Sequence, residues 1–285
     1  MPEIPFVQTL VDNLLPHVRG RVIRGIQLRS PSLLKTVEPP LGVIVGVGVQ
    51  NVRRRGKLVL LDLSNDLAIV LHLMRDGRLQ LVPASRRSGK DVALALRFDA
   101  GPDLRLVELG PKKRTALYVR RAAEAERTEP VAGLGQEPLD AAFTLPALEA
   151  MLGDARTQLK RFLELQRYVA GIGNAYSDEI LWEARLSPFA PSQSLSPEER
   201  VRLHAAIGHV LARAVEEHGA HFAGALPMKE PLDLLRIHRH AKEPCPRCGT
   251  PIAVVHYSEK ETYYCPTCQT GGRVYADRRL SRLLR

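Results

Sequence analysis

The chain has 285 residues, 45% of them hydrophobic and 25% charged, which is enough for two or three units with real cores and ordinary for a globular protein. No run of eighteen apolar residues and no charged-then-apolar leader pattern occurs, so a membrane protein and an exported one are not expected, and the chain reads as cytosolic. The formal net charge of +10 favours a polyanionic partner, and four cysteines confined to Cys245–Cys268 are not spread as a secreted disulfide framework would be.

The start, MPEIPFVQTL, puts a proline directly after the initiator and an acid directly after that. From Pro5, the spacing of Val7, Leu10, Val11, Leu14 and Leu15 predicts a helix closed by Pro16 and Gly20. In KLVLLDLSNDLAIVLHL, the Ser64-Asn65-Asp66 cluster divides two apolar runs and predicts a hairpin. In DVALALRFDAGPDLRLVEL, Val92, Leu94, Leu96 and Phe98 alternate before a DAGPD turn, and Leu104 and Leu106 alternate after it. Strands at this spacing predict a sandwich or barrel up to about residue 120.

ERTEPVAGLGQEP reads as a linker, and helices follow it. In LKRFLELQRYVAGIGNAYSDEILWEARLSP, a helix through Phe162 and Leu165 leads into Gly171-Ile172-Gly173-Asn174, where another begins. Asn174 suits the N-cap, with Ser177 and Asp178 in the first turn. Glycines here allow a phosphate to reach backbone N–H groups, although an ordinary helix–turn–helix link gives the same pattern. A later helix starts at Ser196, with Pro197 first and Glu199 completing a capping box. Its buried stripe is Leu203, Ile207, Val210, Leu211 and Ala214, and Gly219 is the expected stop.

Cys245, Cys248, Cys265 and Cys268 are spaced C-x2-C-x16-C-x2-C, with IAVVHY and TYY between the pairs suited to a two-stranded hairpin. Two close thiolate pairs are what a tetrahedral Zn2+ ion needs, so the stretch predicts a zinc ribbon holding one structural ion. Lys242 and Lys260 are available there to phosphate, or stand as solvated surface lysines.

Pro2-Glu3, the segment around GIGNAYSDEIL and the four-cysteine ribbon, joined by RRRGKLVLLDL and the HL of HLMRDGRL, together resemble the formamidopyrimidine-DNA glycosylase / endonuclease VIII family of bifunctional DNA repair enzymes. The resemblance runs over nearly the whole chain. It implies an α+β multidomain fold: an N-terminal β-sandwich with a flanking helix (1–125), a helical helix-two-turn-helix domain (126–240), a C-terminal zinc ribbon (241–270) and a basic tail (271–285). It implies that Pro2, once Met1 is removed, is the nucleophile, that Glu3 moves protons, and that Lys57 and Asn174 contact phosphates around a flipped nucleotide. The partner so implied is double-stranded DNA with a damaged base or abasic site, bound by a monomer.

The chain also departs from that pattern. Phe6 and Gln8 stand where the family start carries glutamates. Arg75 takes the place of a wedge methionine, PKKRT puts Lys113 and Arg114 in the place of an Arg-Phe pair, and Lys260 replaces a phosphate-clamping arginine. The stretch AGALPMKEPLDLLRIHRHAKEPC is shorter than the loop that covers an oxidised purine. Oxidised purines, oxidised pyrimidines and bare abasic sites therefore stay open as substrates, and so does a lyase-only or non-cutting DNA-binding role. QTGGRVYADRRLSRLLR has five arginines against one aspartate and tracks DNA backbone or stands as a solvated tail.

Overall fold

Apolar residues on one face of the first helix explain where it lies. In the computed structural model, which describes residues 2–87, 89–257 and 260–275, α1 (Ile4–Val18) buries Phe6, Val7, Leu10, Val11, Leu14 and Val18. It runs through Pro16 instead of stopping there. A proline in the last turn forfeits one backbone donor, and the helix still closes on the Arg19 N–H to Leu15 carbonyl bond of 3.0 Å. Gly20 then turns the chain at φ 76°, a conformation that favours glycine.

The chain divides into two compact units, Met1–Gly133 with His218–Glu230, and Leu134–Glu217 with Pro231–Arg285. Among the described residues, the first holds eight strands: β1 (Ile23–Leu28), β2 (Val49–Arg55), β3 (Leu58–Leu63), β4 (Leu67–His72), β5 (Gly77–Val82), β6 (Val92–Phe98), β7 (Asp103–Glu108) and β8 (Ala116–Arg121). They form two antiparallel sheets, ordered β1-β6-β7-β5 and β2-β3-β4-β8. Both expected hairpins are present: β3 pairs with β4 across Ser64–Asp66, and β6 with β7 across the turn holding Gly101. Leu61, Leu63, Ile69 and Leu71 from one sheet share a core with Leu94, Leu96, Leu104 and Leu106 from the other, and α1 joins that core. Each such side chain contributes about 1.5–3 kcal/mol by leaving water. A short helix, α2 (Ala122–Ala125), follows the last strand.

The second unit holds α3 (Leu145–Asp154), α4 (Leu159–Glu164), α5 (Asn174–Glu183) and most of α6 (Pro197–Phe222). Gly135 sits where any Cβ would collide with the Tyr168 carbonyl, so the end of the linker stretch is packed by close backbone approach. The capping box of α6 is formed, with the Ser196 N–H donating to Glu199 (3.0 Å) and the Glu199 N–H to Ser196 Oγ (3.3 Å). All five residues of the expected stripe are buried. The helix passes Gly219, because a glycine costs about 1 kcal/mol in a helix without removing its hydrogen bonds. It ends where Ala223 and Gly224 turn left-handed, at φ 45° and 87°. Beyond it, β9 (Ala253–His256) and β10 (Glu261–Tyr264) form the hairpin between the cysteine pairs, and α7 (Pro266–Thr270) follows. The basic tail beyond Tyr275 lies outside the described residues.

Candidate catalytic and nucleic-acid-binding sites

Pro2 and Glu3 lead directly into α1, which packs on β2 and β3. Both are buried, Glu3 to 5% exposure, in the chain that carries Met1. While Met1 is attached, the Pro2 nitrogen is a tertiary amide and has no reactive lone pair. Lys57 follows Gly56 (φ 55°) in the tight turn between β2 and β3 and is also buried, at 6% exposure. Leu58, the next residue, pairs with His72 across the sheet. Burial, and secondarily the Lys57 charge, lower the His72 pKa from 6.5, so that ring is held neutral. The sequence marks His72 only as part of the HL stretch, with no role of its own.

The two departures at the start of the chain acquire partners. The guanidinium of Arg78 lies 5.3 Å from the centre of the Phe6 ring, and its Nε donates to the Met228 carbonyl at 2.7 Å. Burial pushes the Arg78 pKa down, with Asp76 and Glu230 opposing the shift. Gln8 Oε1 accepts from Arg54 Nε at 3.1 Å. Both arginines lie in stretches marked in the sequence, RRRGKLVLLDL and HLMRDGRL, but with no role of their own, because their roles depend on strand register.

Arg75, Lys113 and Arg114 are exposed on the β4–β5 and β7–β8 connections. These loops touch: the Leu109 N–H donates to the Asp76 carbonyl at 3.0 Å, and a Cβ on Gly110 would strike the Asp76 side chain. Glu108 props the second loop, its Oε1 accepting from the N–H groups of Arg114 (2.9 Å) and Thr115 (3.0 Å), while its carbonyl accepts from Lys113 Nζ (2.6 Å). Three cations are thus presented on adjoining, internally braced loops.

In the helical unit, Gly173 is the extended residue before α5 and Asn174 is the first helical one, so the cap stands one position earlier than expected. The Asn174 side-chain oxygen is buried with no hydrogen-bond partner. Gln166 shapes the turn: its Oε1 accepts from the Gly171 N–H (2.9 Å) and its Nε2 donates to the Ile172 carbonyl (2.7 Å). Gly171 has φ 88°. Beneath the turn, Lys160 Nζ donates to the Asn174 carbonyl (3.1 Å) and to Asp178 Oδ1 (2.5 Å). Asp178 Oδ2 meets His238 Nδ1 at 2.7 Å and accepts from the Tyr263 N–H of β10 at 3.3 Å. Asp178 is therefore a fully buried hub, not a first-turn helix acid. Glu179 beside it accepts from three successive backbone N–H groups, those of Arg236, Ile237 and His238.

Lys260 is exposed and ion-paired with Glu164 Oε2 at 2.5 Å. Lys242 turns left-handed at φ 71° while its N–H donates to the Ile252 carbonyl.

The sulfurs of Cys245, Cys248, Cys265 and Cys268 lie within 4.8 Å of one another. Cys248 is 3.4 Å from Cys265 and 3.5 Å from Cys268, while Cys245 is 4.0 Å from Cys268. Zn–S bonds of about 2.3 Å in a tetrahedron put sulfurs about 3.8 Å apart, so the four fit one structural zinc. Trp182 of α5 donates its indole N–H to Cys245 Sγ at 3.3 Å, and Arg247 covers the indole at 4.1 Å. The ribbon is thus fastened to the helix that begins at the Gly171–Asn174 turn.

Comparison with known proteins agrees with this architecture. Residues 1–111 match the formamidopyrimidine-DNA glycosylase N-terminal domain, 134–223 its H2TH domain, and 242–271 the zinc finger found in FPG and IleRS. The chain is 35% identical to formamidopyrimidine-DNA glycosylase of Salinispora arenicola (strain CNS-205), over 94% of this chain and 96% of that protein. With the enzyme of Chloroflexus aurantiacus (strain ATCC 29366 / DSM 635 / J-10-fl) the identity is 34%, over 94% and 98%. The crystal structure of the MutM (Fpg) protein from Thermus thermophilus is similar with a TM-score of 0.82 and 32% identity, covering 94% of this chain and 98% of that one. The complex of Lactococcus lactis Fpg with abasic-site DNA is similar with a TM-score of 0.85 and 25% identity, over 94% and 99%. With relatives above 30% identity matched along almost their full length, the chain belongs to the formamidopyrimidine-DNA glycosylase family.

Proposed function

We propose that the protein is a DNA glycosylase and AP lyase of base excision repair that acts in the cytosol on double-stranded DNA bearing a damaged base or an abasic site. The observation that carries this reading is the Pro2-Glu3 pair at the head of α1, with α1 packed on the hairpin whose turn holds the buried Lys57. Removal of Met1 leaves Pro2 as a secondary amine. A terminal amine has a pKa of about 8, far below that of lysine, so a useful fraction is neutral at pH 7. Its nitrogen forms a bond to the deoxyribose C1′ as the bond from C1′ to the base breaks, and the base leaves with a proton. Ring opening, with Glu3 moving the proton to the ring oxygen, gives an iminium. That cation accepts electrons as a C2′ proton departs, so the 3′ phosphate leaves by β-elimination and the 5′ phosphate by δ-elimination.

Lys57 is assigned to the phosphate and sugar of the reacting nucleotide. Asn174, through its Nδ2–H donors, and Lys260 are assigned to flanking phosphates. Arg75, Lys113 and Arg114 are assigned to the duplex gap, where arginine stacks on bases but fills less apolar volume than a methionine or phenylalanine wedge.

A second reading, lyase activity without base release, is favoured by one observation: the buried Phe6, covered by Arg78, in the place of a carboxylate. Borohydride trapping on an abasic-site oligonucleotide should yield a covalent complex that Pro2→Gly nearly abolishes. No complex with the wild-type protein would refute the chemistry. Complex formation without release of any modified base would establish the lyase-only form.

A further inference from the structure

The helical unit contains a cavity of about 860 Å3 beside α4, within the roughly 300–1,000 Å3 of pockets that hold small molecules. Phe189 and Tyr257 give it aromatic walls, and Arg156, Arg161 and Lys260 give it positive charge. Lys260 is committed to Glu164. The side chains of Arg156 and Arg161 are exposed and make no hydrogen bond or ion pair with any described residue. Among the described residues of its lining, two guanidinium groups are uncommitted and the one carboxylate, that of Glu164, is paired with Lys260, which disfavours a cationic ligand. The cavity suits a flat apolar body joined to an anion.

We infer that this cavity binds a nucleotide, its base against Phe189 and Tyr257 and its phosphate on Arg156 and Arg161. The planar guanidinium fork matches phosphate oxygens with two parallel N–H donors, which an ammonium cannot do. Aromatic walls accept any base, because every base has a flat face to stack. The chemistry is the same for a free deoxynucleotide and for the unpaired terminal nucleotide of a DNA strand. The assignment rests on the cavity alone and does not depend on the reaction proposed for Pro2.

Calorimetric titration of the full chain tests it with two kinds of probe. The first are dAMP, dGMP, dCMP and dTMP, with deoxyadenosine and inorganic phosphate as the separated halves. The second is a duplex with a one-nucleotide single-stranded end, measured against the same duplex blunt-ended. Saturable binding is expected for the monophosphates, the single-stranded end or both, and the probe that binds identifies the source. Deoxyadenosine and phosphate should each bind more weakly than dAMP. Arg156→Met and Arg161→Met should each weaken binding roughly tenfold, whereas Arg127→Met, at an exposed arginine of the other unit, should not. All three arginines are exposed, so thermal unfolding of the variants should match the wild type. The inference is overturned if no probe saturates, or if both cavity variants bind as the wild type does. Borohydride trapping run on the same preparations tells a failed cavity from a failed repair enzyme.

Discussion

At the scale of single residues, the environment of Phe6 shows what the chain has put in place of an acid. A ring at 1% exposure sits under the Arg78 guanidinium, whose hydrogen bonds go to the backbone carbonyls of Arg75, Gly77 and Met228. Truncating that ring to alanine leaves a cavity and should cost about 3–5 kcal/mol in urea unfolding. A loss below about 1 kcal/mol would mean the ring is not a core element. His72 supplies a test by pH. Its folded pKa lies below 6.5 because burial, then Lys57, disfavours the charged ring. Between the folded value and 6.5 the unfolded chain holds more protons than the folded one. Stability from this group is therefore complete above pH 6.5 and declines as pH falls below it. His72→Gln should flatten the pH dependence of the urea midpoint in that window, and an unchanged slope would contradict the assignment.

At the scale of elements, what could be read in advance is what depends on neighbours in sequence. The turn at Ser64–Asp66, the alternation of Val92 to Phe98, the capping box at Ser196 and the paired cysteines each have a local cause, and each is present. The helix ends were misjudged because Pro16 and Gly219 weaken a helix without ending it when packing continues on its far side. The Asp178 hub was illegible for a different reason: Lys160, His238 and Tyr263 lie far from it in sequence, and only the fold collects them. The same holds for Glu164 and Lys260, which yield a prediction about DNA binding. If Lys260 meets a phosphate, Glu164 competes with that phosphate for the ammonium. Glu164→Gln should then tighten abasic-duplex binding at low salt and steepen the log–log salt dependence by up to about 0.9, the increment for one further phosphate contact. In a Lys260→Gln background the effect should vanish. Weaker binding by Glu164→Gln would instead make the pair a structural tie.

At the scale of the molecule, the two units differ in what holds them together. The sandwich has a continuous apolar core, whereas the ribbon has a smaller cluster built on Trp182, Ile237, Ile252 and Tyr263 around its cysteines. So small a hairpin depends on its metal for folding. Trp182 is the single tryptophan of the chain and bonds Cys245, so its emission reports on the ribbon. Stripping zinc with a chelator should shift that emission to the red, while the β-sheet signal of the sandwich survives. An unchanged spectrum would show that the ribbon stands without metal.

The Tyr263–Asp178–Lys160–Asn174 chain of contacts gives this dependence a further reach. Peroxide arriving at the exposed Cys248 would first convert a ligand to its sulfenic acid and loosen the ion. The β10 strand would then lose its anchorage on Asp178, and the turn that Lys160 braces would slacken with it. Oxidation at one exposed thiol would thus reach the Asn174 turn, far from that thiol in sequence.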